Sequence, residues 1–203
     1  MDSDVHFIWA LSKDFGSSGF RFGLLYSQNE ALSKALANIN MFSSISHPMQ
    51  LLIKDVIEDY EFMDEFLDFS RKALAANLET CTKTLDELHL PYVDTNAGIF
   101  VYVDFSSLLP INPTPDDEHR LAAIFETCAR IVMTPGHAQR DRRPGHFRIC
   151  YAWVSIQVLS IAMRRIKLVV SAIRGMGIKI FHEQSLGELT QSDKFVNVVH
   201  EAI

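Results

Sequence analysis

The stretch Val5-His6-Phe7-Ile8-Trp9-Ala10-Leu11-Ser12-Lys13-Asp14-Phe15-Gly16-Ser17-Ser18-Gly19-Phe20-Arg21-Phe22-Gly23 decides how the chain is read. Its first seven residues are apolar and β-prone, the pattern of a buried strand, and Lys13 leaves that strand at its end. Gly16, Gly19 and Gly23 follow and let the backbone turn tightly around Arg21. An ammonium group taken out of water is costly unless it is paired or gives up its proton. A lysine that has lost its proton carries a free amine able to attack an aldehyde and hold it as a Schiff base. Lys13 is therefore the candidate nucleophile. Arg21 is the candidate anion clamp, because a guanidinium donates two parallel hydrogen bonds and keeps its charge.

A second stretch answers the first from far down the chain. Met133-Thr134-Pro135-Gly136 and Pro144-Gly145-His146-Phe147-Arg148-Ile149-Cys150-Tyr151-Ala152 place Arg148 on an expected short strand. Together these segments resemble the class I and II aminotransferases, pyridoxal-phosphate enzymes of fold type I. The match is best to the branch like aminocyclopropane-carboxylate synthase, whose lysine motif reads Ser-Leu-Ser-Lys-Asp-x-Gly-x-x-Gly-Phe-Arg-x-Gly. Met41-Phe42-Ser43-Ser44-Ile45-Ser46-His47-Pro48-Met49-Gln50 resembles the family's serine-rich helix lead-in, and Asn96-Ala97-Gly98-Ile99-Phe100-Val101-Tyr102-Val103-Asp104 resembles the first strand of its small domain. The resemblance covers about residues 5 to 170.

That resemblance implies an α/β fold: the C-terminal portion of an aspartate-aminotransferase-like large domain followed by an α/β small domain. Residues 1–72 would be the large-domain remnant with the lysine strand, and residues 73–203 the interdomain helix and small domain. It implies that Lys13 holds pyridoxal 5'-phosphate and acts as acid and base at the substrate α-carbon, that Arg21 binds the cofactor phosphate, and that Arg148 binds the α-carboxylate of an amino acid substrate. The reaction it implies is either transamination or β/γ-elimination, and the complete enzyme would be a homodimer. The chain also departs from the pattern. Ala10 stands where the family has a hydroxyl that helps hold the phosphate. Twelve residues precede Lys13, whereas the family draws its ring-nitrogen carboxylate, its stacking aromatic and a phosphate loop from upstream sequence. The expectation is a C-terminal half truncated at the N-terminus, with weak cofactor retention. Two other readings stand beside it: a non-catalytic dimerisation module derived from the same fold, and an unrelated anion-binding α/β protein using Arg21 or the loop of residues 140–143.

Composition narrows the classes. The chain has 203 residues, 48% of them hydrophobic, enough for a sizeable core. With 25 acidic against 19 basic residues the net charge is −6, which argues against nucleic acid and anionic membranes as partners. Cys81, Cys128 and Cys150 are widely spaced with no Cys-x-x-Cys, so neither a disulfide framework nor a zinc site is expected. Asp2 and Asp4 stand where a targeting segment would be basic, and no apolar run reaches the ~18 residues of a membrane span, which points to the cytoplasm. His137 and His146 flank the basic loop Arg140-Asp141-Arg142-Arg143, which reads as solvated surface, so no metal is expected.

The remaining pattern places the elements. Strands are expected near residues 5 to 11 and 20 to 26, then a capping box at Ser27-Gln28-Asn29-Glu30 opening a helix through about Phe42. Another helix begins near Pro48, and the run from Glu61 to Leu88 lacks Gly and Pro and reads as one long helix. Beyond it come strands at 92 to 95 and 99 to 104, a helix capped at Thr114 with Pro115 in its first turn, strands at 131 to 133 and 146 to 152, and a helix from about Ser155 to Arg174 ending at Gly175.

Overall fold

The computed structural model describes residues 4–176, and the chain divides into two compact units, Met1–Phe69 and Ser70–Ile203. The apolar run Ile178 to Phe181 and the histidines His182 and His200 lie outside the described residues.

In the first unit, β1 (His6–Ala10) pairs antiparallel with β2 (Gly23–Ser27). The register runs from His6 opposite Ser27 to Ala10 opposite Gly23. A single helical turn, α1 (Leu11–Asp14), follows β1 directly. Next come α2 (Glu30–Asn40) and α3 (His47–Glu58). The cap of α2 is Asn29, whose side chain accepts from the Leu32 amide at 3.0 Å. Ser27, the expected cap, is still the last residue of β2, and its hydroxyl instead accepts the Asn29 amide. The helix closes at Asn40, two residues short of Phe42. Pro48 occupies the first turn of α3, where a missing N–H costs nothing.

The strand expected to be buried is exposed from Val5 to Ile8 and half-buried at Trp9 and Ala10. Phe7 is 46% and Ile8 74% accessible, and among the described residues of this unit the fully enclosed apolar side chains are Leu11 and Ile53. Two strands cover neither face of their own ladder, so an apolar strand sequence does not by itself produce burial.

The long helix α4 (Tyr60–Glu87) starts in the first unit and ends in the second. Its 28 residues make a rod of about 42 Å. Asp59 caps it through the Phe62 amide at 3.0 Å.

The second unit holds the main core. A three-stranded antiparallel sheet has the order β3 (Phe100–Asp104), β5 (His146–Cys150), β4 (Thr134–Pro135). Alternation along β3 and β5 sends Val101, Val103, Phe147 and Ile149 into the core, and Tyr102 and Arg148 to the opposite face, where they sit directly across from each other. The expected strand at 92 to 95 is reduced to a single bridge between Tyr92 and Val103. The strand expected at 131 to 133 lies one step later, where Thr134 and Pro135 meet Arg148 and Phe147.

Helix α5 (Pro115–Ile124) carries a full capping box at Thr114 and Asp117, and it widens into a π-helical turn over Phe125–Ala129. Helix α6 (Ile156–Met176) presents Leu159, Met163, Ile166, Val170 and Ile173 to the core at three- and four-residue spacing. It continues through Gly175, the expected stop. Full burial of a side chain such as Phe147 stabilises the fold by roughly 2–3 kcal/mol. Asn77 ties α4 to the segment after β5, its amide donating to the carbonyls of Tyr151 at 2.8 Å and Val154 at 3.2 Å.

Candidate functional site

Lys13 and Arg21 leave the same end of one ladder. Because Ala10 pairs with Gly23, the loop of residues 11–22 departs from and returns to a single edge of the β1–β2 pair. Aromatic contacts hold this loop. Trp9 meets Phe15 and Phe22 edge-on, each at 6.3 Å, and its indole N–H donates to Asp14 Oδ2 at 2.6 Å. Phe15 in turn stacks on Phe66 at 5.2 Å.

Lys13 sits on the turn of α1 and is exposed, so the buried amine expected at the end of a buried strand is corrected on both counts. The cause is the one given above: the ladder is uncovered on the side from which Lys13 emerges. Arg21 adopts a left-handed backbone with φ 53°, and its Nη1 donates to the Ser18 carbonyl at 2.8 Å. It lines a cavity of about 750 Å³ together with Asn40, Ser43, Ser44 and Gln50. A guanidinium among hydroxyl and amide donors is a donor set that suits a phosphate. Lys13 is outside that lining.

Arg148 belongs to the second unit. Its guanidinium carbon lies 4.2 Å from the centre of the Phe100 ring, and Nη2 reaches Thr134 Oγ1 at 3.4 Å. Its Nε is buried without a hydrogen-bond partner. An unmet buried donor costs about 1–3 kcal/mol, and the remaining N–H groups of the guanidinium are of the kind that binds an anion. It faces a cavity of about 710 Å³ lined also by Asn96, Phe100, Tyr102, Arg140 and Arg143. A carboxylate in that cavity would meet a planar donor already oriented by the face of Phe100.

The cavity wall is braced by an ionic network. Tyr102 donates its hydroxyl to Asp141 Oδ2 at 2.8 Å, while Arg143 donates from Nε at 3.2 Å and from Nη2 at 3.0 Å to the same carboxylate. The Arg143 side-chain bonds hold the Asp141 carboxyl well below the ordinary aspartate range. Burial first, and then the bond to Asp141, push the Tyr102 phenol up to about 12. The neutral phenol is the form that the fold favours. Its contribution is present below the ordinary tyrosine value and lost as the pH rises through the folded one. A tyrosinate absorbance titration is expected to show a late step near pH 12. The Tyr102→Phe protein should lack that step, and Asp141→Asn should move it toward lower pH. An unchanged late step in Asp141→Asn would contradict the assignment.

Sequence reasoning missed the anchor behind this wall. Glu118, 1% exposed, accepts the backbone amides of His137 at 3.1 Å and Gly145 at 2.8 Å, and also contacts His137 Nδ1 at 2.7 Å. Gly136 makes the close approach possible: a Cβ there would lie 3.0 Å from both the His146 carbonyl and the Tyr102 hydroxyl. In sequence, Glu118 reads as one more acid in the first turn of α5, after Asp116 and Asp117. Of the three residues singled out by sequence, the structure thus brings Lys13 and Arg21 to one loop and sets Arg148 in the sheet of the other unit.

Known proteins resemble this chain in sequence and in fold. A family described as "Aminotransferase class I and II" matches residues 1–166. A 1-aminocyclopropane-1-carboxylate synthase of Glycine max is 35% identical over 163 residues, covering 80% of this chain and 34% of that protein. The chain therefore spans about a third of the length of the curated relatives it matches. Among solved structures, the aromatic aminotransferase of Pyrococcus horikoshii superposes with a TM-score of 0.71 at 19% identity, covering 83% of this chain and 43% of the other. A PLP-bound C-S lyase of Staphylococcus hominis gives a TM-score of 0.70 at 20% identity, covering 84% of this chain and 43% of the other.

Proposed function

Because the chain belongs to the family of class I and II aminotransferases, we propose that it is the lysine- and arginine-bearing part of a pyridoxal-phosphate enzyme that transaminates an amino acid or eliminates its β or γ substituent. The observation that carries this reading is the common origin of Lys13 and Arg21 at one end of the β1–β2 ladder. An amine and a phosphate-competent guanidinium from one loop fit the two ends of the cofactor, its aldehyde and its phosphate. When bound, pyridoxal phosphate supplies the electron sink that lets a bond at the substrate α-carbon break.

The protein's own groups supply the rest. Arg148 binds the substrate carboxylate through its fork and so sets the orientation of the α-carbon. Lys13 removes and returns the α-proton, a task for an amine that exchanges its proton readily. Ala10, in the place of a family hydroxyl, has no side-chain donor to offer the phosphate. The complete enzyme would pair with a second copy. No helix of the described residues is long and apolar enough to cross a membrane, and cytoplasm is the compartment that suits the reduced, separated cysteines.

The test is covalent trapping. Full-length protein incubated with pyridoxal phosphate and reduced with borohydride should carry a phosphopyridoxyl group on the peptide containing Lys13. Lys13→Ala should lose the label, and Arg21→Gln should need about tenfold or more cofactor for half-labelling, the equivalent of ~1.4 kcal/mol. Label spread over several lysines, with no preference for Lys13, would defeat the reading. A second reading, a non-catalytic interaction module, draws on the exposed apolar side chains of the first unit: Phe7, Ile8, Leu25, Met41 and Phe42. Sedimentation showing stable self-association without any trapped label would favour it.

A further inference from the structure

Two histidines of the second unit meet ring to ring on the outer side of Glu118. His119 Nε2 and His137 Nε2 are 3.0 Å apart, while the ring centroids are 4.2 Å apart with planes at 81°. The rings therefore approach obliquely instead of nose to nose. Each Nδ1 faces a carboxylate: His137 Nδ1 lies 2.7 Å from Glu118 Oε1, and His119 Nδ1 lies 3.9 Å from Asp116 Oδ1. At His137 the carboxylate within hydrogen-bond reach of Nδ1 draws the ring proton to that nitrogen and leaves the lone pair on Nε2, the arrangement that carboxylates behind ligating histidines enforce in metal sites, while His119 donates its Nε2 proton across the pair until an ion displaces it. The Glu118 side is fixed firmly, since that carboxylate is buried and also held by two backbone amides. Both imidazoles are open to solvent, with side chains 53% and 41% exposed, so an ion has access.

We infer that His119 and His137 form an open two-histidine site for a tetragonal divalent cation of the Cu²⁺ or Ni²⁺ type. Two imidazoles with water in the remaining positions suit an ion of that class, and the spacing is compatible with it. At metal–nitrogen bonds of about 2.0–2.1 Å, neighbouring ligands of a tetragonal ion stand about 2.9 Å apart, and those of a tetrahedral ion about 3.3 Å. The observed 3.0 Å matches the former. Among the described residues no group of three or more His, Cys, Asp or Glu side chains converges on one point, so water fills the remaining positions. Such a site is adjustable and exchangeable, unlike a closed structural one.

The full 203-residue chain, titrated with Cu²⁺ against glycine as competing ligand and followed by electron paramagnetic resonance, is expected to bind a first equivalent with an axial signal coupled to two imidazole nitrogens. His119→Gln and His137→Gln should each weaken that equivalent at least tenfold and remove one coupled nitrogen. His89→Gln, at another exposed histidine, should leave it unchanged. Circular dichroism of the variants guards against misfolding. If His119→Gln binds the first equivalent as tightly as the unmodified chain, or if the signal shows no pair of imidazoles, the close contact is an ordinary histidine–histidine hydrogen bond and the inference fails.

Discussion

Gly145→Ala is expected to destabilise the second unit by ~2–6 kcal/mol, the sum of ~1–3 kcal/mol for backbone strain and ~1–3 kcal/mol for overpacking. Gly145 has φ +97°, and a Cβ built on it would lie 2.8 Å from Ser106 Cα and 2.9 Å from Ser106 N. Those are backbone atoms and cannot swing aside. The same residue donates its N–H to Glu118 and accepts the Phe105 amide at 2.8 Å, so displacing it breaks both bonds. Gly98→Ala is the matched control. It also has positive φ, at +83°, but its Cβ would meet nothing within 4 Å, so its cost is confined to the backbone term. Denaturant unfolding of the three proteins checks the comparison, and equal losses for the two variants would show that the clash with Ser106 is relieved. The functional consequence lies in β5. Gly145 immediately precedes the strand that carries Arg148, so a shift there moves the guanidinium off the face of Phe100.

What was legible in the sequence was local. The spacing of Lys13, Arg21 and the glycines between them marks one loop because all its constraints fall within a dozen residues. Thr114, Pro115 and Asp117 define a helix start through bonds that span three residues. The strand that carries Arg148 was legible, and it pairs through its whole length with β3. The failures share a cause in distance along the chain. Whether Val5 to Leu11 is buried depends on what covers the ladder, which hydrophobic pattern cannot report. The short strand at Thr134 exists because Arg148, fourteen residues later, is its partner, so its register could not be fixed locally. Glu118 accepts from backbone N–H donors 19 and 27 residues away, and nothing about an acid in a helix's first turn signals that. Lys13 shows the same limit from the functional side: its type and position were clear, but its solvent exposure is a property of the surrounding fold.

Arg148→Lys is expected to lower kcat/KM for an amino acid substrate by about 10²–10³-fold in cofactor-loaded protein, equivalent to ~3–4 kcal/mol of transition-state stabilisation. Lysine preserves the charge but replaces a planar fork with a single point donor, so the paired hydrogen bonds to the carboxylate and the stacking on Phe100 are both lost. Two internal contrasts separate this role from a merely structural one. Trapping of phosphopyridoxyl at Lys13 should be unaffected, because that chemistry uses the loop of the first unit. An amino acid amide, which has no α-carboxylate for Arg148 to hold, should react with both proteins at rates within a few-fold of each other. Thr134→Val gives the graded case. It removes only the 3.4 Å contact to Nη2, so it should cost about tenfold or less, near 1 kcal/mol for a neutral acceptor. Arg148→Lys with undiminished kcat/KM for the carboxylate substrate, or with an equal loss on the amide, would show that the guanidinium above Phe100 serves the sheet and not the substrate.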